Sequence, residues 1–277
     1  MDRRSGHGGI GTRAAVGFGV GCLCLLAGTG VSACGTPASS ATSTAPGVNA
    51  GPLARIRASV GVTEAAGTAH FVTASTVQQV ARSNPGGVQR SAGTGDVRFA
   101  GPDIETVTAT VRPTSPQTPS TKVLRIGNSV YDYVSTPSGD RWTRSNISAR
   151  NVNYLGAVAP SSLADANGPV TVVGTSSVDG RPAVEYGVPT PGTTSSPSVS
   201  GLVEEHITVA PFVAHVWLDA TGRIVRTSAS LSTTVTPAPG GSGPAVPSSS
   251  YTSTLTVTLS DFGEPVHLSR PPVSDQG

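Results

Sequence analysis

Few side chains in this 277-residue chain are placed to do chemistry. The most distinctive is a thiol. Cys34 closes Val31-Ser32-Ala33-Cys34, an aliphatic residue followed by two small ones and a cysteine. Small residues ahead of the cysteine fit a narrow peptidase site, and the freed thiol can carry acyl chains. Arg3, Arg4 and Arg13 supply a positive start, and Ala14 to Ala27 is an uncharged, apolar stretch of export-signal length. Residues 1–33 are therefore expected to be a lipoprotein signal peptide, with Cys34 as the acylated N-terminus. Two or more acyl chains, at about 0.8 kcal/mol per buried CH₂, hold a protein stably on a bilayer. The expected location is outside the cell interior, lipid-anchored to the outer face of the cytoplasmic membrane. The competing reading is an uncleaved anchor, because Ala14 to Ala33 is just long enough to span.

Other reactive groups are scattered. Cys22 and Cys24 lie inside the signal, so the folded part is expected to hold no disulfide and no thiolate ligand. The histidines beyond the signal are His70, His206, His215 and His267, none at a metal-ligand spacing within one element. Glu204-Glu205-His206 is the nearest approach to a constellation. In a strand, adjacent side chains point to opposite faces, so only Glu204 and His206 could converge. There is no nucleophile elbow, zinc-binding H-E-x-x-H or phosphate loop. The expectation is a protein with no catalytic residues, no metal and no cofactor.

Charge narrows the partners. Cutting at Cys34 removes Arg3, Arg4, Arg13 and Asp2 from totals of 18 basic and 16 acidic residues, leaving 15 of each. A neutral domain offers no electrostatic case for nucleic acid.

The elements that must position a site are mostly strands. Gly35 to Gly51 is a Ser/Thr/Pro-rich stretch with little to bury, so residues 34–51 are expected to be the acylated cysteine and a flexible tether. Pro52 then suits the first turn of a helix carrying Leu53, Ile56 and Val60 on one face. From His70 onward apolar and Thr or Arg residues alternate, as in Leu255, Val257 and Leu259 against Thr254, Thr256 and Thr258. Asp179-Gly180 and Asp219 to Gly222 read as hairpin turns. Residues 151–169 read as a loop plus one short helix near Leu163. Pro113–Thr121, Thr190–Gly201 and Pro237–Ser250 read as long surface loops. Two short helices are too few for a βαβ fold. The expected class is α+β: a strongly curved antiparallel sheet with one wet face and a few short helices on its concave side, formed by residues 52–273.

Three stretches carry a resemblance: Val130-Tyr131-Asp132-Tyr133 ahead of Arg141-Trp142, the hairpin from Val216 to Arg226, and the ending from Leu259 to Pro272. With the cysteine motif and tether, the chain resembles the actinobacterial lipoproteins of the LppX/LprG type, in the LolA-like group. That resemblance covers about residues 50 to 273. It implies a half-barrel whose helices plug the concave side, around an apolar cavity that holds a lipid or acylated glycolipid of the cell envelope.

Physical reasoning about the sheet reaches a similar place. A half-barrel too open for its few helices leaves apolar wall for a ligand to cover. The candidate lining residues are Val107, Leu124, Ile126, Tyr131, Leu155, Val158, Leu163, Phe212 and Trp217. The function expected first is lipid binding or transfer at the membrane to which Cys34 ties the chain. The alternative is an envelope interaction or sensor module with a filled core and a protein partner.

Overall fold

The computed structural model describes residues 50–80, 87–99, 103–111, 120–126, 129–136, 139–146, 163–200, 203–237 and 248–272. Within them one helix, α1 (Pro52–Glu64), precedes thirteen strands. The strands are β1 (Thr68–Val80), β2 (Val88–Arg98), β3 (Asp103–Val111), β4 (Ser120–Ile126), β5 (Ser129–Thr136), β6 (Gly139–Asn146) and β7 (Thr171–Val178). They continue with β8 (Arg181–Thr190), β9 (Thr193–Ser200), β10 (Val203–Val209), β11 (Phe212–Asp219), β12 (Ile224–Pro237) and β13 (Ser249–Ser260). Every pairing is antiparallel, in the order β6-β5-β4-β3-β2-β1-β13-β12-β11-β8-β7. The first and last strands lie side by side in the middle, and β6 and β7 form the two ends of an unclosed sheet. The architecture is α+β and half-barrel-like, as expected.

Helix α1 starts where proline needs no N–H partner, and it buries Ile56, Ser59, Val60 and Thr63. The stripe is rotated from the expected one. Leu53 is only half-buried, while two hydroxyl residues turn inward. They can do so because both hydroxyls are satisfied. Ser59 Oγ donates to the Ile56 carbonyl (2.7 Å), and Thr63 Oγ1 donates to the Ser59 carbonyl (2.7 Å). Thr63 Oγ1 also accepts from the Ile224 N–H of β12 (2.9 Å), which stitches helix to sheet. Around this contact Ile56, Ala69, Phe71, Val97, Tyr186, Val188, Val216, Leu218, Ile224, Leu255, Val257 and Leu259 form the main core.

Cross-strand partners share a face, so register assigns sides to the whole sheet. Phe71 of the helix side is followed outward by Gly95, Thr106, Val123, Asp132 and Thr143. The next row, His70, Asp96, Glu105, Leu124, Tyr131 and Arg144, belongs to the opposite side. That side is not uniformly wet. It carries Leu124 and Tyr131 packed on Leu268 of the C-terminal segment, and Val178, Ala183 and Val225 packed with Trp217 and Phe262.

Two expectations are corrected. Thr190–Gly201 is not a loop: β9 occupies Thr193–Ser200 and pairs with β10, which pairs with the far end of β12. A Ser/Thr-rich ribbon at the margin needs no apolar face, so its composition hid it. Residues 163–170 run from a single helical residue at Leu163 into turns, with Ala166 N–H on the Leu163 carbonyl (3.2 Å), and the rest of the stretch expected to hold the second helix lies outside the described residues. The single-sided sheet is replaced by one with a large core on one face and two small clusters on the other. Residues 1–49, 112–119, 147–162 and 238–247, with the expectations that fall on them, lie outside the described residues.

Both expected turns form. Asp179 and Gly180 take φ of 49° and 78°, the left-handed pair a two-residue hairpin requires. At the second turn, Asp219 Oδ1 accepts from Thr221 N–H (2.9 Å), Thr221 Oγ1 (2.6 Å) and Arg223 N–H (3.0 Å), while Oδ2 meets Arg223 Nη2 at 2.9 Å.

Thr63→Val keeps the shape of the side chain and deletes its hydrogen bonds. It strands the buried Ile224 N–H, which costs about 1–3 kcal/mol, seen as a lower urea midpoint with an unchanged slope. Asp219 supplies an acid-dependent term. Burial pushes its pKa up, but hydrogen bonds from Thr221 and Arg223 and the Arg223 charge outweigh that, and the net shift is downward from 3.8. Its stabilisation is complete above that ordinary value and is lost as pH falls through the lowered one. Asp219→Asn should reduce stability at neutral pH and flatten the acid limb of a stability-versus-pH curve.

Candidate functional site

Where α1 crosses the sheet, the bowl is filled. Ile56, Thr63 and Val97 are fully buried there, and Phe71 and Tyr186 almost so. Ser59 and Thr63 are small enough to let the helix backbone approach the strands closely. Among the described residues, the space directly under α1 is taken up by the protein's own side chains.

Open space remains at one end of the core. A solvent-facing groove of about 480 Å³ is lined by Asn167, Pro189, Thr190, Pro191, Pro211, Phe212 and Val213. Its size falls in the range of small-molecule sites, roughly 300–1,000 Å³. The lining is mainly apolar, and none of these residues carries a formal charge. Only the β7–β8 ladder stops short of Pro189, at Thr171 opposite Gly187, while Pro189 and Thr190 stay paired with Val213 and Phe212 of β11; a residue without an N–H is tolerated on the side that has lost its neighbour. The adjoining turn is tight. A Cβ on Gly192 would sit 2.6 Å from the Val209 carbonyl oxygen and 3.0 Å from Pro211 Cδ. Glycine is therefore what lets Pro191-Gly192 lie against Val209–Pro211 and shape the groove.

The sequence-expected lining residues separate into groups. Phe212 lines the groove. Leu163 packs half-buried on the main core, four residues before the groove's Asn167. Leu124, Ile126 and Tyr131 do come together, but on the side opposite α1, under Leu268 and Val266 and beside Trp142. Trp217 also faces away from α1, because its neighbours Val216 and Leu218 are the ones in the main core. Alternation reveals that two faces exist and not which one the helix covers, so these four could not be separated from Phe212 by residue type. Register places Asp132 toward the helix side, and partial burial raises its pKa. Val107 stands opposite Thr94 in register, and its side chain lies outside the described residues. Leu155, Val158 and Cys34 lie outside the described residues, as do the side chains of Glu204, Glu205 and His206.

Two histidines gain carboxylate partners across strands that spacing within one element could not reveal. His70 Nδ1 is 3.0 Å from Asp96 Oδ1, and His215 Nδ1 is 2.7 Å from Glu185 Oε1. Ser260 stands opposite His70 in register, so Asp96, His70 and Ser260 are the residue types of an acyl-transfer triad. The geometry is not that of one, because Ser260 Oγ donates to Asp261 Oδ2 (3.0 Å). Among the described residues no group of three His, Cys, Asp or Glu is placed to hold a metal ion.

No family model matches the chain, and no curated protein matches it. Solved structures do align with it. Mycobacterium tuberculosis lipoprotein LppX is 18% identical over 78% of this chain and 97% of its own, with a TM-score of 0.46. LprF from Mycobacterium bovis is 13% identical over 79% and 96%, with a TM-score of 0.40. A LolA superfamily protein from Nitrosomonas europaea is 12% identical over 80% and 99%, with a TM-score of 0.26. These belong to the group the sequence resembles. With every TM-score below 0.5, the function has to come from this chain's own residues.

Gly192→Ala tests the groove's construction. The added methyl meets a backbone carbonyl that cannot rotate away, so the substitution should cost about 1–3 kcal/mol and raise amide exchange in Pro191–Phe212. Unchanged stability and exchange would mean that this turn is not held against Val209.

Proposed function

We propose that the chain is a membrane-anchored lipoprotein that binds a lipid or acylated glycolipid of the cell envelope, without catalysing its chemistry. The observation that carries the reading is the uncharged, mainly apolar groove at the open end of the core, in a chain whose Cys34 motif would tie it to a bilayer. An apolar site beside a membrane meets lipid at high local concentration. The groove contains acceptors in the Thr190 hydroxyl and Asn167 amide, enough to orient a headgroup or ester without supplying a nucleophile and base. The absence of catalysis is supported by the Ser260 geometry and by histidines paired on the side of the sheet away from the helix.

The filled bowl favours one modification of the expected mechanism. A ligand held at the rim would be partly exposed, with its remaining surface covered by a partner or the membrane. A filled core also fits the alternative of a non-catalytic envelope interaction or sensor module, which would leave the groove without lipid.

The test uses the mature protein. Mild organic extraction releases non-covalent lipid and leaves any acyl chains on Cys34 attached, so mass spectrometry of the extract reads the ligand alone. The expected result is a defined lipid near one per chain. Asn167→Trp, at an exposed lip position, should lower that yield severalfold without shifting thermal stability. A lipid-free protein, or a yield indifferent to Asn167→Trp, would remove the groove from consideration and favour the interaction module.

A further inference from the structure

The groove does not end at Val213. Val213 is nearly half exposed, and a Cβ placed on neighbouring Gly187 would lie 3.0 Å from Thr171 Oγ1, 3.3 Å from Val213 Cγ1 and 3.6 Å from Val173 Cγ2. Val213 and Val173 thus close over Gly187 on the side away from α1. A register shift between Val172 and Gly174 makes Val173 an extra residue in edge strand β7. Val172, paired with Tyr186 of the core, faces the helix side. Both are more than half exposed. The consequence is a mainly apolar corner at the sheet edge, with Val172 on one face, Val173 and Val213 on the other around the Thr171 hydroxyl, and Phe212 and the three prolines of the groove beyond them. Adjacent exposed valines on an edge strand are an arrangement that sheets ordinarily avoid by placing charges there.

What covers this corner follows from where the chain enters the fold. The C-terminal turn of α1 is fixed to β12 by Thr63 and Ile224, at the hairpin end of the sheet. Six residues earlier, Arg57 Nε donates to the Ala166 carbonyl (2.9 Å), next to groove residue Asn167. The helix therefore points its N-terminal turn toward the groove end. Residues 35–51 join that turn to Cys34. A linker of that length has a root-mean-square reach of roughly 20–25 Å, which gives a tethered surface an effective concentration of order millimolar.

We propose that the Val172–Val173–Val213 corner is a membrane-docking surface, seated in the headgroup layer of the bilayer that anchors the chain, with the groove opening onto the lipid. This rests on the anchoring of Cys34 and adds the face that meets the bilayer. The valines of the corner and the residues lining the groove carry no formal charge, and the Glu185–His215 pair beside Gly187 on the same face limits seating to a shallow depth. Arg57, exposed beside the groove, puts a cation where anionic headgroups would be. Shallow seating keeps the β7 backbone edge within reach of water, whereas deeper burial would strand its N–H and C=O groups.

The mature lipoprotein, with an environment-sensitive fluorophore on Val173→Cys or Val213→Cys, is reconstituted into phosphatidylcholine/phosphatidylglycerol vesicles containing a headgroup nitroxide lipid. Ala220→Cys, on the exposed hairpin turn at the other end of the sheet, is the reference. Docking predicts severalfold stronger quenching at both valine positions than at Ala220. Protein that floats with the vesicles yet quenches equally at all three positions overturns the docking face and leaves the anchor standing. Protein that fails to float with the vesicles overturns both. Docking without extractable lipid would retain this face and discard the ligand reading.

Discussion

The fold is governed by a mismatch of areas: thirteen strands share one described helix of thirteen residues. A helix that short is about 20 Å long and covers only the middle of such a sheet. Everything else follows from how the uncovered remainder is managed. The centre is closed by the Thr63–Ile224 contact and the small residues that permit it. On the reverse face, Phe262 reaches the Val178–Ala183–Val225 cluster, and Leu268 lies over Leu124 and Tyr131. The C-terminal segment thus does for one face what α1 does for the other. It is pinned as it leaves the sheet by Thr68, whose carbonyl accepts from Gly263 N–H and whose hydroxyl donates to the Glu264 carbonyl. The margin near Phe212 receives neither cover.

That uncovered margin is what the proposed reading rests on. Catalysis needs polar groups converging on a reacting atom inside a site that excludes water. The groove among the described residues offers instead a mainly apolar lining with one hydroxyl and one amide, the character that the proposed binding of a lipid calls for.

Strand identity was legible from residue types because alternation is a local property. So were the Asp-Gly hairpin and the Asp219 turn, whose geometry depends on side chains within four residues. Face assignment was not legible. Whether Tyr131 or Asp132 looks toward α1 depends on register carried through four strand pairings from Phe71, and no single segment contains that information. Ser59 and Thr63 were passed over as helix-core residues because their burial depends on partners fixed only by the fold. Ile224 N–H is 161 residues away from the oxygen that accepts it. The groove was legible at Phe212 alone. Its prolines read as loop punctuation, and their place beyond the end of the β7–β8 ladder shows only once β7 is known to stop short of Pro189.

The same features that end this ladder also orient the sheet. The β7–β8 ladder stops before Pro189, which has no N–H to extend it, and the bulge at Val173 distorts the edge that remains. A plain edge at this position would present regular hydrogen-bonding groups to any passing strand. A bulged edge with valines on both sides and prolines beyond it is poorly suited to strand addition and better suited to a disordered apolar partner, of which lipid is the nearest at hand. An acyl anchor entering from the same end would make that partner permanent. On the proposed reading, the packing under α1 is no obstacle, because the bilayer can complete the wall that the one described helix leaves unfinished.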